Sequence, residues 1–276
     1  MIDDYAPPAE RRRLARLFGD LVAGAGALAM DVLARPQIAS RLKDDHSPVT
    51  EADQRVEEYL LAALARALPG LAAVAEESAA RGTSAAHGGV FLLVDPIDGT
   101  REFLARSSEF TINVALIVDG APAAGAVAAP AQGRVWFAGA DSFVADAAPG
   151  GRLPAPQDWR LLRTRKAPED GLTALVSKSH LDAETAAYVA RLPVAARMSV
   201  GSSLKFCALA EGTADVYPRF GPTMEWDTAA GDAILRVAGG VTLDPAGAPL
   251  LYNKAAAKYR NGPFISWGDP AVATLY

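Results

Sequence analysis

From Phe110 to Ala145 the chain keeps a two-residue apolar rhythm, and no other feature constrains its fold as tightly. The rhythm runs through residues 110–118, 123–128, 134–138 and 143–145, with Asp119-Gly120 and Gln132-Gly133 as turns between. Short period-two segments joined by tight turns pair as antiparallel neighbours, so this stretch is expected to form a meander. Upstream the rhythm is helical. Over residues 9–33, Leu14, Leu17, Phe18, Leu21, Val22, Ala25, Leu28, Ala29 and Val32 recur at helical spacing after Pro7 and Pro8, which suit a helix start. A second helix is expected after Thr50, with Val56, Tyr59, Leu60, Ala63, Leu64 and Leu68 on one face. Gly24, Gly26 and Ala29 imitate the dinucleotide fingerprint G-x-G-x-x-A, but they lie in mid-helix, where that motif has no use.

Two short apolar segments, 71–75 and 90–94, end in Glu76-Glu77 and in Asp95, and Pro96 is expected to force the chain out of regular structure. Two strands thus deliver carboxylates at their C-terminal ends. Residues 147–168 are rich in Pro, Gly and Arg without a period, and mark an expected boundary between an N-terminal α+β lobe, 1–155, and a C-terminal α/β lobe, 156–276. In the second half, strands at 174–177, 197–200, 214–217 and 241–243 alternate with helices at 182–191, 203–211 and 227–238. Such alternation makes the fold class α/β and layered.

Composition removes several functions. With 27 basic against 32 acidic side chains the net charge is −5, which gives no general attraction for a nucleic-acid backbone. A single cysteine, Cys207, allows neither an intrachain disulfide nor a thiolate zinc cage, and fits a reducing compartment. The longest apolar stretch, near residues 21–30, falls far short of the ~20 residues that span a bilayer. Arg11, Arg12 and Arg13 precede it, but Arg16 and Asp20 break the pattern of a signal peptide. A cytoplasmic enzyme is expected, with contact at the inner face of the membrane left open.

The chemistry concentrates at Asp95-Pro96-Ile97-Asp98-Gly99-Thr100. Asp95 closes a buried strand, Gly99 permits an unusual backbone, and Thr100 opens a short helix whose free N–H groups favour an anion. Read blandly, the two aspartates are solvated helix caps. Asp227 reads equally as the cap of the helix that follows it, and Asp53 as the acidic member of a capping box with Thr50. Taken together with Glu76 and Glu77, these carboxylates lack any nearby histidine or thiolate, and oxygen-only donors suit Mg²⁺ or Mn²⁺. No P-loop and no G-x-S-x-G elbow is present, and the aspartates stand three apart rather than in the closer pair of aspartyl-phosphate enzymes.

At these residues the chain resembles the lithium-sensitive, Mg²⁺-dependent phosphatase superfamily that contains inositol monophosphatase and fructose-1,6-bisphosphatase. Both signatures are present, at residues 95–100 and at Trp226-Asp227-Thr228-Ala229-Ala230-Gly231, in order with Pro48-Val49-Thr50-Glu51-Ala52-Asp53 and Glu76-Glu77-Ser78. Within it, Glu109-Phe110-Thr111, Ser179-His180, Gly201-Ser202-Ser203-Leu204-Lys205 and Tyr217-Pro218-Arg219 are similar to the CysQ branch, the 3′(2′),5′-bisphosphate nucleotidases. The resemblance covers about residues 42–238 and leaves the first dozen residues and the insert 79–89 unmatched.

The resemblance implies a sugar-phosphatase sandwich of α-β-α-β-α layers, with an antiparallel first sheet and a metal site between lobes. It implies that Glu76, Asp95, Asp98, Asp227 and the carbonyl of Ile97 hold two or three Mg²⁺ ions, with Mn²⁺ as a substitute, and that Glu76 rather than Glu77 is the ligand. It makes Asp53, Thr100 and Glu76 the catalytic group, with Thr100 and Asp53 acting on the attacking water. Gly99 and Thr100 would cradle the phosphate beside Asp227, Ser177 and His180 the base or ribose, and Ser203, Lys205 and Arg219 the retained phosphate. Left to themselves, Lys205 reads as a surface lysine and His180 as a surface imidazole. The implied reaction removes the 3′-phosphate from adenosine 3′,5′-bisphosphate, with the 5′-phosphosulfate as a second substrate. An inositol or sugar phosphatase with the same metals is the alternative, and a non-catalytic nucleotide-binding regulator another.

Overall fold

The computed structural model describes residues 2–5, 7–42, 48–83, 85–178 and 182–276. The first half contains helices α1 (Ile2–Tyr5), α2 (Pro8–Leu33), α3 (Glu51–Ala67), α4 (Glu76–Ala80) and α5 (Thr100–Leu104). Its strands are β1 (Ser40–Leu42), β2 (Pro48–Thr50), β3 (Ala73–Ala75), β4 (Val90–Asp98), β5 (Thr111–Val118), β6 (Ala121–Ala129), β7 (Arg134–Ala138), β8 (Ser142–Asp146) and β9 (Arg160–Leu161). The second half adds β10 (Leu172–Ser177), α6 (Ala183–Val189), β11 (Val194–Val200), α7 (Leu204–Ala210), β12 (Val216–Arg219), α8 (Glu225–Ala238), β13 (Val241–Leu243) and β14 (Phe264–Trp267).

Strands β3 to β9 form a seven-stranded sheet in sequence order, antiparallel throughout except for the parallel pair β3–β4. The expected meander is its centre. The second sheet runs β11-β10-β12-β14-β13, with parallel pairs around β10 and antiparallel pairs around β14.

Both faces of the first sheet are covered, so β4 and β7 read as nearly continuous apolar runs, and over 134–138 the expected two-residue rhythm is not kept. Along β4, Leu92 and Val94 join Phe18, Val22 and Leu60 in one core, while Phe91 and Leu93 join Phe206, Trp226 and Ile234 in another. Helices α2 and α3 thus lie on one face and α7 and α8 on the other. On the far side of the second sheet, Tyr188 and Val189 of α6 pack with Leu172, Val216 and Ile265. The layers are therefore α-β-α-β-α, as the resemblance implied. Among the described residues no helix is long and apolar enough to cross a membrane.

The mid-helix glycines have a packing reason. A Cβ on Gly24 would stand 2.5 Å from Tyr59 Oη of α3, and one on Gly26 would stand 3.3 Å from Pro130. They let α2 sit close to its neighbours and form no phosphate loop.

One local expectation is corrected. The chain does not leave the strand at Pro96: β4 stays extended to Asp98, with an irregularity in its pairing to β5 between Asp95 and Asp98. Proline lacks a ladder donor, and the bulge absorbs that loss.

Candidate active site

The bulge has a direct chemical consequence. In an unbroken strand Asp95 and Asp98, an odd number of residues apart, would point to opposite faces. Here Asp95 pairs with Asn113 and Asp98 with Thr111, two positions that share one face of β5. The extra residue therefore turns both carboxylates toward α8. The parallel pairing of Ala75 with Val94 brings Glu76, the first residue of α4, alongside Asp95. From the other layer, Asp227 enters in the first turn of α8, where its Oδ2 accepts the Met224 N–H at 2.7 Å.

These acids shift one another. Burial, reinforced by the charges of Glu76, Asp98 and Asp227, raises the Asp95 carboxyl well above 3.8, the ordinary carboxylate value. Burial likewise raises Asp227, with Asp98 and Glu76 adding to the effect. Asp98 is raised by burial, against the opposing pull of Lys205 and a Ser203 hydrogen bond. Asp95 Oδ1, Asn113 Oδ1 and Thr111 Oγ1 are buried on this face without a hydrogen-bond partner.

Orphaned oxygens beside mutually repelling carboxylates, with no soft donor among them, fit a hard divalent cation in donor chemistry. Among the described residues no group of three or more His, Cys, Asp or Glu side chains is arranged to hold a metal ion as it stands.

The turn after β4 is set by Gly99, whose φ of +86° a side chain would strain. Thr100 opens α5, and its Oγ1 donates to the Ile97 carbonyl at 3.2 Å. Asp53 is fully buried and forms the expected capping box, its Oδ2 accepting the N–H and hydroxyl of Thr50, each at 2.7 Å.

A cavity of about 610 Å³ opens beside the cluster and is lined by Asp98, Gly99, Thr100, Ser177, Lys205, Arg219 and Asp227. Lys205 is not a surface lysine: it is 4 % exposed, and its ammonium donates to the carbonyls of Ser202 at 2.7 Å and Val200 at 3.2 Å. Burial lowers its pKa from 10.5 to about 8, although Asp98 pulls in the other direction. Arg219, also buried, donates from Nη2 to the Pro222 carbonyl at 3.1 Å. His180 lies outside the described residues.

Ser203 does not line this cavity, whereas its neighbour Ser202 does. Ser203 Oγ instead lies 2.8 Å from Asp98 Oδ2 and 2.8 Å from the Asp227 carbonyl. Glu76 borders a second cavity of about 810 Å³, together with Gln54, Trp226 and Tyr259. The carboxylates thus stand between two openings.

Sequence reasoning missed Glu57. Its buried carboxylate accepts the Glu77 N–H and the Ser78 hydroxyl, each at 2.7 Å, and so fixes the turn that presents Glu76. An acid placed between Val56 and Leu60 on the apolar side of α3 was the available signal. Asp182, a cavity residue that caps α6, was also missed; its Oδ2 accepts the Gly221 N–H at 3.1 Å.

A two-sheet sandwich with acids gathered between its layers is the architecture of a phosphatase family, and residues 11–266 match the model of the inositol monophosphatase family. The chain belongs to that family. It is 38 % identical over 242 residues to the 3′(2′),5′-bisphosphate nucleotidase CysQ of Shigella flexneri, covering 87 % of this chain and 91 % of that protein. The CysQ of Salmonella typhimurium is 39 % identical over 234 residues, covering 84 % and 91 %. Among solved structures, CysQ from Bacteroides thetaiotaomicron superposes with a TM-score of 0.76 at 33 % identity, covering 92 % of this chain and 97 % of that one. The inositol monophosphatase of Thermotoga maritima shares the fold, with a TM-score of 0.72 at 22 % identity over 92 % of this chain and 93 % of that one.

Proposed function

We propose that the protein is a Mg²⁺-dependent phosphatase that removes the 3′-phosphate of adenosine 3′,5′-bisphosphate, giving AMP and phosphate. The observation that carries this reading is the mixed charge of the 610 Å³ cavity, whose wall holds Asp98, Asp227 and Thr100 together with the buried cations Lys205 and Arg219. A substrate with two phosphates offers one to a metal held by the acids and one to the cations. Inositol 1-phosphate has no second phosphate to offer these cations. Similarity to the CysQ nucleotidases supports the same choice.

In this reading Glu76, Asp95, Asp98, Asp227 and the Ile97 carbonyl would hold the metal, which would supply Lewis acidity toward the phosphate and the attacking water. The Thr100 hydroxyl would orient the attacking water, with the buried Asp53 carboxylate as the group that finally accepts its proton. The water oxygen bonds to phosphorus, the bond from phosphorus to the 3′ oxygen breaks, and the ribose oxygen takes a proton from solvent. Main-chain N–H groups at Gly99 and Thr100 steady the phosphate, while Lys205 and Arg219 hold the 5′ group. The 5′-phosphosulfate analogue is proposed as a second substrate, and Li⁺ is expected to inhibit where Na⁺ does not.

The test is product analysis by phosphorus NMR, with Mg²⁺ and with a chelator. AMP and inorganic phosphate should appear only with Mg²⁺. Formation of adenosine 3′-phosphate, or unchanged turnover under chelation, would overturn the assignment.

A further inference from the structure

We propose that Asn113, a residue that touches no substrate, is a positioning residue for the cation site: it fixes the donor sense of the Ser203 hydroxyl and thereby the setting of Asp98. The inference rests on reading Asp98 as a metal ligand. Asn113 faces Asp95 across the β4–β5 ladder and is 1 % exposed. Its Nδ2 donates to Ser203 Oγ at 3.0 Å. Ser203 Oγ in turn lies 2.8 Å from Asp98 Oδ2 and 2.8 Å from the main-chain oxygen of Asp227.

A hydroxyl has one hydrogen, and a carbonyl oxygen and the oxygen of an ionised carboxylate can only accept. The Asn113 N–H fills an acceptor position on Ser203, so the hydroxyl hydrogen is directed toward the carboxylate or the carbonyl. With the hydrogen toward Asp98, its Oδ2 is committed to the protein and the other oxygen is left for a cation; with it toward the Asp227 carbonyl, the same hydroxyl anchors the first turn of α8 instead. The same hydroxyl ties the bulged end of β4 to the first turn of α8, the two elements that bring acids from different layers.

The second observation is the state of the Asn113 amide, whose Oδ1 is buried without a hydrogen-bond partner. Interior packing alone gives no reason for an amide there, since an apolar side chain would avoid that orphaned oxygen. The N–H toward Ser203 supplies the reason. Groups that orient a ligating carboxylate typically change metal affinity about 10- to 100-fold when removed.

The experiment titrates the metal-free full-length protein with Mn²⁺, reading free Mn²⁺ by electron paramagnetic resonance without substrate, and follows folding by calorimetry. Wild type should bind, Asp98→Asn should lose binding, and Asn113→Ala and Ser203→Ala should each weaken it about 10- to 100-fold. Because Asn113 acts through Ser203, the double variant should bind no worse than Ser203→Ala alone. A lower Tm with wild-type Mn²⁺ affinity in Asn113→Ala, or additive losses in the double variant, would overturn the proposal while leaving Asp98 a ligand. If Asn113→Ala does not fold, Asn113→Ser, too short to reach Ser203, carries the same comparison. Wild-type binding by Asp98→Asn would remove the ligand reading, and this inference with it.

Discussion

Lys205 is the residue on which the proposed substrate choice turns, because a buried ammonium in a cavity wall, already beside Asp98, can meet one more anion only from a substrate. If it holds the phosphate that is not cleaved, Lys205→Ala should lower kcat/KM for adenosine 3′,5′-bisphosphate about 10- to 150-fold, the equivalent of about 1.5–3 kcal/mol, and spare 2′-AMP. Equal losses for the two substrates would sink the role. The pH dependence has a definite sign. Burial lowers the Lys205 pKa from 10.5 to about 8, so the folded protein releases this proton before the unfolded chain does. Folding is therefore favoured as pH rises from about 8 toward 10.5, while the grip on an anion is lost over the same window. The KM for the bisphosphate, measured against 2′-AMP, should climb above pH 8; a flat ratio would contradict this. The sequence placed Lys205 in the site only through resemblance, since helical spacing alone does not distinguish a lysine on the surface from one tucked against Tyr217, whose ring centre lies 5.2 Å from its ammonium.

Helix α8 carries Asp227 and lies against β6 at an approach that only glycine allows. A Cβ on Gly125 would stand 2.9 Å from both Cα and O of Ala230. Gly125→Ala should therefore cost about 1–3 kcal/mol through overpacking, lowering Tm by about 2–4 °C per kcal/mol. Calorimetry of the metal-free variant checks this, and an unchanged Tm would show that the helix has room to move. Most elements were legible because their periods are local: the α2 stripe, the meander, and the helix stopped at Gly239-Gly240. The bulge in β4 was not, because Pro96 reads as a stop and only pairing with β5 keeps the chain extended. Strand β14 was invisible for a related reason, since it fits between β12 and β13 through contacts distant in sequence. At the site, the acids were legible as a set, but Glu57 and Asn113 act through folded neighbours and carry no motif.

Across the whole molecule, the acids of β4 and α8 meet only because the layers close on them. Burial raises Asp95, Asp98 and Asp227 above 3.8, with neighbouring acids adding to it, so the folded state holds protons that the unfolded chain has released. Without metal, stability should accordingly fall as pH rises from about 4 through the raised values. Mg²⁺ at a hundredfold excess over its Kd should restore about 2.7 kcal/mol, or about 5–10 °C in Tm, and Asp95→Asn should lose most of that gain. Thermal scans with and without Mg²⁺ at several pH values read both effects, and a Tm indifferent to Mg²⁺ would count against a cation among these carboxylates. The central claim is that one cavity joins a metal-binding acidic corner to a buried cation and so selects a bisphosphate nucleotide. Its most direct test is phosphate release at fixed Mg²⁺ from adenosine 3′,5′-bisphosphate, inositol 1-phosphate and fructose 1,6-bisphosphate. The account predicts a kcat/KM for the nucleotide at least about tenfold above inositol 1-phosphate, the discrimination one charge-assisted contact supplies, and above that for fructose 1,6-bisphosphate, whose second phosphate sits on a different scaffold. An equal or higher value for inositol 1-phosphate or fructose 1,6-bisphosphate would contradict it.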